Sequence, residues 1–383
     1  MNKVLYCAER VFAGSDLSVV EHGAVLVENK HIVAVDRQAA FEGLDAETVR
    51  CDSLLPGFVD CHDHLALNAE IVNWPALVPD PESEHVFRAI ETMKADVHAG
   101  VTTARTLGDK YCMDIACRRA QAEGRLEGPR LLVATRGIKA SHAHGFVGYG
   151  IDGVEPRRNA VRENIKAGAD FIKLFVTDTV WSASLPFYPS REELAVVIDE
   201  AHRVGKTVAA HCVGGPGLDI CLDLGLDVVE HGYFMSPQQI NRMIDEDRWL
   251  DITPTPIMSD YYGSKCSDAM AEAFRRSREP LKESMKTAIA QGVKFALGSD
   301  GLHGMFSNDI AYLVEFGATP IQALRAATIQ GARLCGLDAE TGSLEQGKRA
   351  DIVGLGNDPL RDITATADVR LVVQGGRAVK KPI

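Results

Sequence analysis

The chain is predicted to be an α/β protein, a closed (β/α)8 TIM barrel carrying a small β-sandwich built from the two chain ends. Three observations predict it. Between about Pro56 and Leu344, eight short β-rich runs alternate with helical patterns, and strands alternating with helices imply βαβ units around a parallel sheet. Eight such units within residues 56–343 fit one closed barrel. β-patterned runs also occupy both ends: KVLYCAE, AVLVEN and HIVAVD in the first fifty residues, ADIVGLG and VRLVVQGGRAV in the last forty. The end segments are too short to fold apart. Residues 1–55 and 344–383 are therefore expected to pair into one small β-domain beside the barrel.

In chain order, the eight runs are FVDCH (58–62), VTTART (101–106), RLLVATR (130–136), FIKLFV (171–176), TVAAH (207–211), DVVEH (227–231), LDITPT (250–255) and KFALGSD (294–300). Helices between them carry start signals. In SREELAVVIDEAHRVGK, Ser190 is placed to cap a helix and Glu193 to close a capping box. Leu194, Val197, Ile198 and Ala201 then follow the i, i+3, i+4, i+7 stripe, and Gly205 ends it. SPQQ (236–239) and TPIQ (319–322) repeat the device with Pro at the first helical position.

The bulk numbers narrow the function. The chain has 383 residues, 46% hydrophobic and 25% charged, enough for one large soluble domain with a sizeable core. Its formal charge of −12 argues against nucleic acid or an anionic membrane as a partner. MNKVLYCAERVFAGSD has no secretory h-region and alternates like a strand, and no run approaches the ~18 apolar residues of a membrane span. Nine Cys without a C-x-x-C spacing read as reduced thiols, which fits the cytoplasm.

Chemistry concentrates at strand ends. GFVDCHDHLAL places His62 and His64 at the end of the first run. In a barrel, side chains at the C-terminal ends of strands converge on one mouth. Lys173 on the fourth run, His211 on the fifth, His231 on the sixth and Asp300 on the eighth occupy the same end. Four imidazoles and a carboxylate arriving together suit a divalent metal of the zinc type. With a strand period of two, Phe171, Lys173 and Phe175 share one face, which points Lys173 into the barrel if the other face meets the helices. Burial disfavours its ammonium form. It is then either salt-bridged to a carboxylate such as Asp300, or a neutral amine that has reacted with carbon dioxide to become an anionic ligand.

HDH on the first run, IKL on the fourth, single His on the fifth and sixth, and GSD on the eighth resemble the amidohydrolase superfamily over essentially the whole chain. LLPGFVDCHDHL is similar to that family's entry into the barrel and TGSLEQGKRADIVGLGNDPL to its exit into the β-domain. Within it, the features most resemble the imidazolonepropionase and prolidase-like branch. The resemblance implies two zinc ions: His62 and His64 on the more buried one, His211 and His231 on the more exposed one. Carboxylated Lys173 and a hydroxide would bridge them, with Asp300 completing the buried site and serving as general base and then acid. It also implies a small-molecule substrate and a homo-oligomer.

The SHAHGFVGYG loop holds His142 and His144, similar in position to a substrate-contacting His of the branch, and Tyr233 could bind an oxyanion or a substrate carboxylate. IKASHAHG lacks the glycine run that the family commonly carries before that loop His. Arg105, Arg136 and His303 lie near other strand ends as weaker candidates, and Asp60 reads as a support for His62. The leading activity is hydrolysis of a dipeptide or N-acyl amino acid. The alternatives are a mononuclear deaminase or cyclic-amide hydrolase, and a non-catalytic scaffold.

Overall fold

The computed structural model describes residues 3–68, 74–143, 145 and 147–382. All eight predicted runs are strands: β1 (Phe58–Asp63), β2 (Val101–Thr106), β3 (Arg130–Val133), β4 (Ile172–Phe175), β5 (Val208–Gly214), β6 (Val228–Phe234), β7 (Trp249–Ile252) and β8 (Lys294–Leu297). Every paired neighbour among them is parallel. All six residues of β1 and of β2 are buried, as expected where helices cover one face and packed side chains the other.

The strands are hydrogen-bonded as two sheets, β1-β2-β3 and β8-β7-β6-β5-β4, the second extended by Ile138–Lys139 and Tyr149–Gly150. Continuous ladder pairing around a barrel was expected, and it is interrupted at two seams. Single backbone bonds cross them: Asp170 N donates to Val133 O at 2.8 Å, and Asp300 N to His62 O at 2.7 Å. The seams lie where strands are only four residues long and, beyond β8, where Asp300 turns into the left-handed region at φ 56°. At the second seam Gly298 lies so close to β1 that a Cβ there would stand 2.3 Å from His62 Cβ.

The predicted helix starts are present. Ser190 caps the helix Arg191–His202 with Glu193 closing the box, and Ser236/Gln239 and Thr319/Gln322 do the same for Pro237–Asp245 and Pro320–Arg325. Leu194, Val197, Ile198 and Ala201 are buried, each large aliphatic contributing roughly 1.5–3 kcal/mol over exposure.

The chain ends form one seven-stranded mixed sheet. Its order is Arg377–Lys380, Val369–Gln374, Ile352–Leu355, Glu47–Pro56, Lys3–Ala13, Ser18–Glu28, His31–Arg37. Two separate layers were expected. The sheet is continuous because Glu47–Pro56 pairs on both edges, parallel to Lys3–Ala13 and antiparallel to Ile352–Leu355. That strand escaped the sequence reading, since ETVRCDS has no clean alternation of apolar and polar residues. The sheet curls so that Tyr6, Val25, Ile32, Leu54, Ile352 and Leu371 share one apolar cluster, and Ile32 N donates to Lys348 O at 2.9 Å. No described helix is long and apolar enough to cross a membrane.

Candidate metal centre

The strand ends bring all six predicted donors together. His62 lies near the end of the fully buried β1, and its ring centroid lies 5.2 Å from that of His64 and 4.7 Å from that of His231. His211 from β5 stands 4.5 Å from His231. Asp300 Oδ1 is 3.3 Å from His62 Nε2 and 3.5 Å from His64 Nε2. Lys173 Nζ is 3.5 Å from His62 Nε2. His231 and Asp300 both hold positive φ, 74° and 56°, a conformation that costs energy in a non-glycine residue and recurs at functional sites.

Each imidazole is aimed by a partner on its other nitrogen. His62 Nδ1 faces Glu230 Oε2 at 2.7 Å, His64 Nδ1 faces Gly108 O at 2.6 Å, and His231 Nδ1 faces Thr253 Oγ1 at 2.6 Å. These acceptors put the proton on Nδ1 and the lone pair on Nε2. His211 is turned the other way: its Nε2 faces Asp178 O at 3.3 Å, so its lone pair belongs on Nδ1. Burial pushes His62 well below the ordinary histidine range and His64 down to about 3, with Lys173 adding to both. Neutral imidazoles with fixed lone pairs are what a cation requires.

Lys173 is fully buried, and burial pulls its amine down to about 8 against the opposing pull of Glu230 and Asp300. Among the described residues it has no carboxylate oxygen within salt-bridge distance; its ammonium lies beside His62 Nε2 and 5.0 Å from the Phe175 ring centre. The salt-bridged alternative therefore finds no partner, and an amine easily deprotonated stands among metal-type donors. Burial also raises Asp300 to about 6, opposed by Lys173. The donor set fits divalent cations: imidazole and carboxylate ligands, with His62, His64 and Asp300 offering atoms within 4.8 Å of one another.

Behind the donors lie groups the sequence reading missed or ranked low. Glu230 precedes His231, and alternation counted from an inward His231 would point it away from the site. It is nevertheless fully buried against His62: Val228, two before it, shares the inward cluster of Phe171 and Ala209, so Glu230 keeps the period of two and the left-handed backbone at His231 turns the next side chain to the same side. Arg105 Nη1 donates to the second Glu230 oxygen at 2.9 Å, and its guanidinium lies 4.0 Å from the Phe171 ring centre. Asp60 supports the seam, its Oδ1 accepting from His62 N at 3.0 Å and Ser299 N at 3.1 Å. His303 Nδ1 meets Asp96 Oδ2 at 2.7 Å, and its Nε2 meets the His64 carbonyl at 3.2 Å. Arg136 is elsewhere, paired with Glu163 at 3.0 Å.

The expected substrate contacts fall differently. Tyr233 is 1% exposed, and its hydroxyl donates to Thr253 O at 2.6 Å and lies 2.7 Å from Thr253 Oγ1. It thus shares Thr253 with His231. His142 is exposed, its ring edge-on to Tyr188 at 5.4 Å, while His144 lies outside the described residues. A cavity of about 200 Å3 opens over His62, His64, His211, His231 and Asp300.

Comparison with known proteins places this arrangement. The amidohydrolase family profile matches residues 53–379. Ochratoxinase of Aspergillus niger is 27% identical, the alignment covering 93% of this chain and 84% of that protein. Imidazolonepropionase of Clostridium tetani is 22% identical, over 96% and 93%. The crystal structure of a Xaa-Pro dipeptidase with methionine bound in its active site shares the fold at a TM-score of 0.87, with 24% identity over 99% of this chain and 100% of that one. The chain therefore belongs to the amidohydrolase family, metal-dependent hydrolases acting on carbon–nitrogen bonds.

Proposed function

We propose that the protein hydrolyses the amide bond of a dipeptide or an N-acyl amino acid at a centre of two zinc ions. The observation that carries this reading is the convergence of six donors from five strands, each imidazole aimed by its own partner. The names of the relatives support a carbon–nitrogen bond as the target, and the methionine in the solved dipeptidase supports an amino acid as product. We read the two parallel sheets as one eight-stranded barrel closed through the Asp170–Val133 and Asp300–His62 seams. Residues 1–55 and 344–383 form the separate β-domain and 56–343 the barrel.

His62 and His64 would hold the more buried ion, His211 and His231 the more exposed one. When bound, the ions polarise the scissile carbonyl and lower the pKa of water. Lys173 Nζ, buried and without a carboxylate partner among the described residues, would add to carbon dioxide, forming an N–C bond and releasing a proton, and its carbamate would serve as an anionic ligand. Asp300, raised by burial to about 6, takes a proton from the attacking water and passes it to the departing nitrogen. Tyr233 and Thr253 hold His231 in place, and His142 and His144 are read as substrate contacts. The assembly is a homo-oligomer in the cytoplasm.

A screen of zinc-loaded protein against dipeptide and N-acyl amino acid libraries, with metal measured on the same sample, tests this reading. The expected result is free amino acid released at about two zinc per chain. Turnover of a cyclic ureide or amino-heterocycle instead, at one zinc per chain, overturns it. Lys173→Ala should lose most activity and one ion, and added acetate or propionate should restore part of both.

A further inference from the structure

The cavity over the donors is mainly apolar, with Leu67, Val147, Phe175, Val180, Met270 and Phe274 in its walls. One wall comes from the segment after β7, from Thr255 to the start of the long helix Asp268–Gln291. Lys265 stands in that wall, the single lysine or arginine among the described lining residues. Its ammonium lies 5.0 Å from the Tyr261 ring centre, a contact that steadies a flexible stem. Its backbone N–H donates to Tyr262 O at 2.9 Å.

Neighbouring cations are already paired. Arg278 meets Asp260 at 2.7 Å and Lys282 meets Glu315 at 2.8 Å. Lys265 makes no such pair among the described residues. The cavity's acids are Asp300, in the donor set, and Asp178. Asp178 Oδ1 accepts from Thr179 N at 2.9 Å, and its Oδ2 lies 3.5 Å from the Tyr188 hydroxyl. Lys265 is thus a partly buried cation lining an apolar chamber with no acid paired to it among the described residues, and charge-assisted bonds made there are stronger than in open water.

We propose that Lys265 receives the carboxylate of the substrate, so that the preferred substrates are amides bearing both a free carboxylate and an apolar side chain. The inference rests on the amide-hydrolase reading above and narrows it. With the carboxylate on the β7 side, the apolar side chain lies against the Met270 and Phe274 wall.

The test uses zinc-loaded full-length protein with N-acetyl-phenylalanine, N-acetyl-leucine and their C-terminal primary amides. In Lys265→Met, the ratio of kcat/KM for acid over amide should fall about tenfold, through KM. Lys265→Arg should keep the preference, and Lys265→Glu should reverse it. A ratio unchanged in Lys265→Met and Lys265→Glu overturns the proposal. Binding of 3-phenylpropionate against 3-phenylpropionamide, by calorimetry, separates this inference from the reaction itself. If wild-type protein turns over none of the four amides, the hydrolase reading fails alone, while a tenfold weaker carboxylate in Lys265→Met still upholds the role of Lys265. Equal binding of acid and amide to wild type overturns that role.

Discussion

His62 presents Nε2 to the site because Glu230 holds Nδ1 at 2.7 Å, and Glu230 is itself held by Arg105 at 2.9 Å. All three are buried, so the pairing is exposed to little screening. Glu230→Gln removes the charge that both partners answer. Zinc affinity should fall about 10–100-fold, as for other outer partners of metal-binding histidines, read by titration against a chelator. Unchanged affinity would show that His62 needs no such partner. The six converging side chains were legible in the sequence because five stand at or just past the ends of apolar runs, while Lys173 interrupts one on the face of Phe171 and Phe175. Glu230 was not, because with His231 read as inward the period of two points Glu230 away, and only the left-handed backbone at His231 lets both face the site.

At the level of elements, the strand ends are fixed by close approach and the helices by caps. Gly298→Ala would place a methyl 2.3 Å from His62 Cβ. The variant should lose metal and thermal stability together, and normal zinc content would refute the claim that this seam sets the position of His62. Ser190→Ala removes a cap whose box is complete in the structure. It should cost about 0.5–2 kcal/mol in urea unfolding with kcat unchanged.

His303 ties the helix Glu82–His98 to the loop after β8 through Asp96. Burial alone would lower its imidazolium, but Asp96 and Asp63 override that and lift it to about 10. A histidine with a folded pKa above its unfolded value of about 6.5 stabilises fully below that value and loses the contribution as pH rises through about 10. The stability gap between wild type and His303→Asn should therefore be widest near pH 6 and close toward pH 10. Unfolding midpoints at both ends of that window decide it. A constant gap would mean the imidazole acts only by packing.

Across the whole molecule, the terminal sheet leads directly into the metal centre. Glu47–Pro56 is separated from β1 by Gly57 alone, whose N–H donates to Asp351 O at 2.9 Å. Leu54 is 1% exposed in the cluster shared by both chain ends. Leu54→Ala should cost about 2–5 kcal/mol of stability while leaving zinc content intact at 25 °C. A variant that unfolds as before would show the cluster to be loosely packed. The sequence by itself determined the eight strands, the three capping boxes and which side chains converge at the candidate metal centre, since these depend on local periodicity and on residue chemistry along the runs. Tertiary structure alone decided that the terminal strands merge into one sheet through Glu47–Pro56, that the parallel strands pair in two groups, and that Glu230, Arg105 and His303 stand behind the donors. Those outcomes depend on contacts between residues as far as 302 positions apart, as where Ser53 pairs with Leu355, and such contacts leave no periodic trace in the chain.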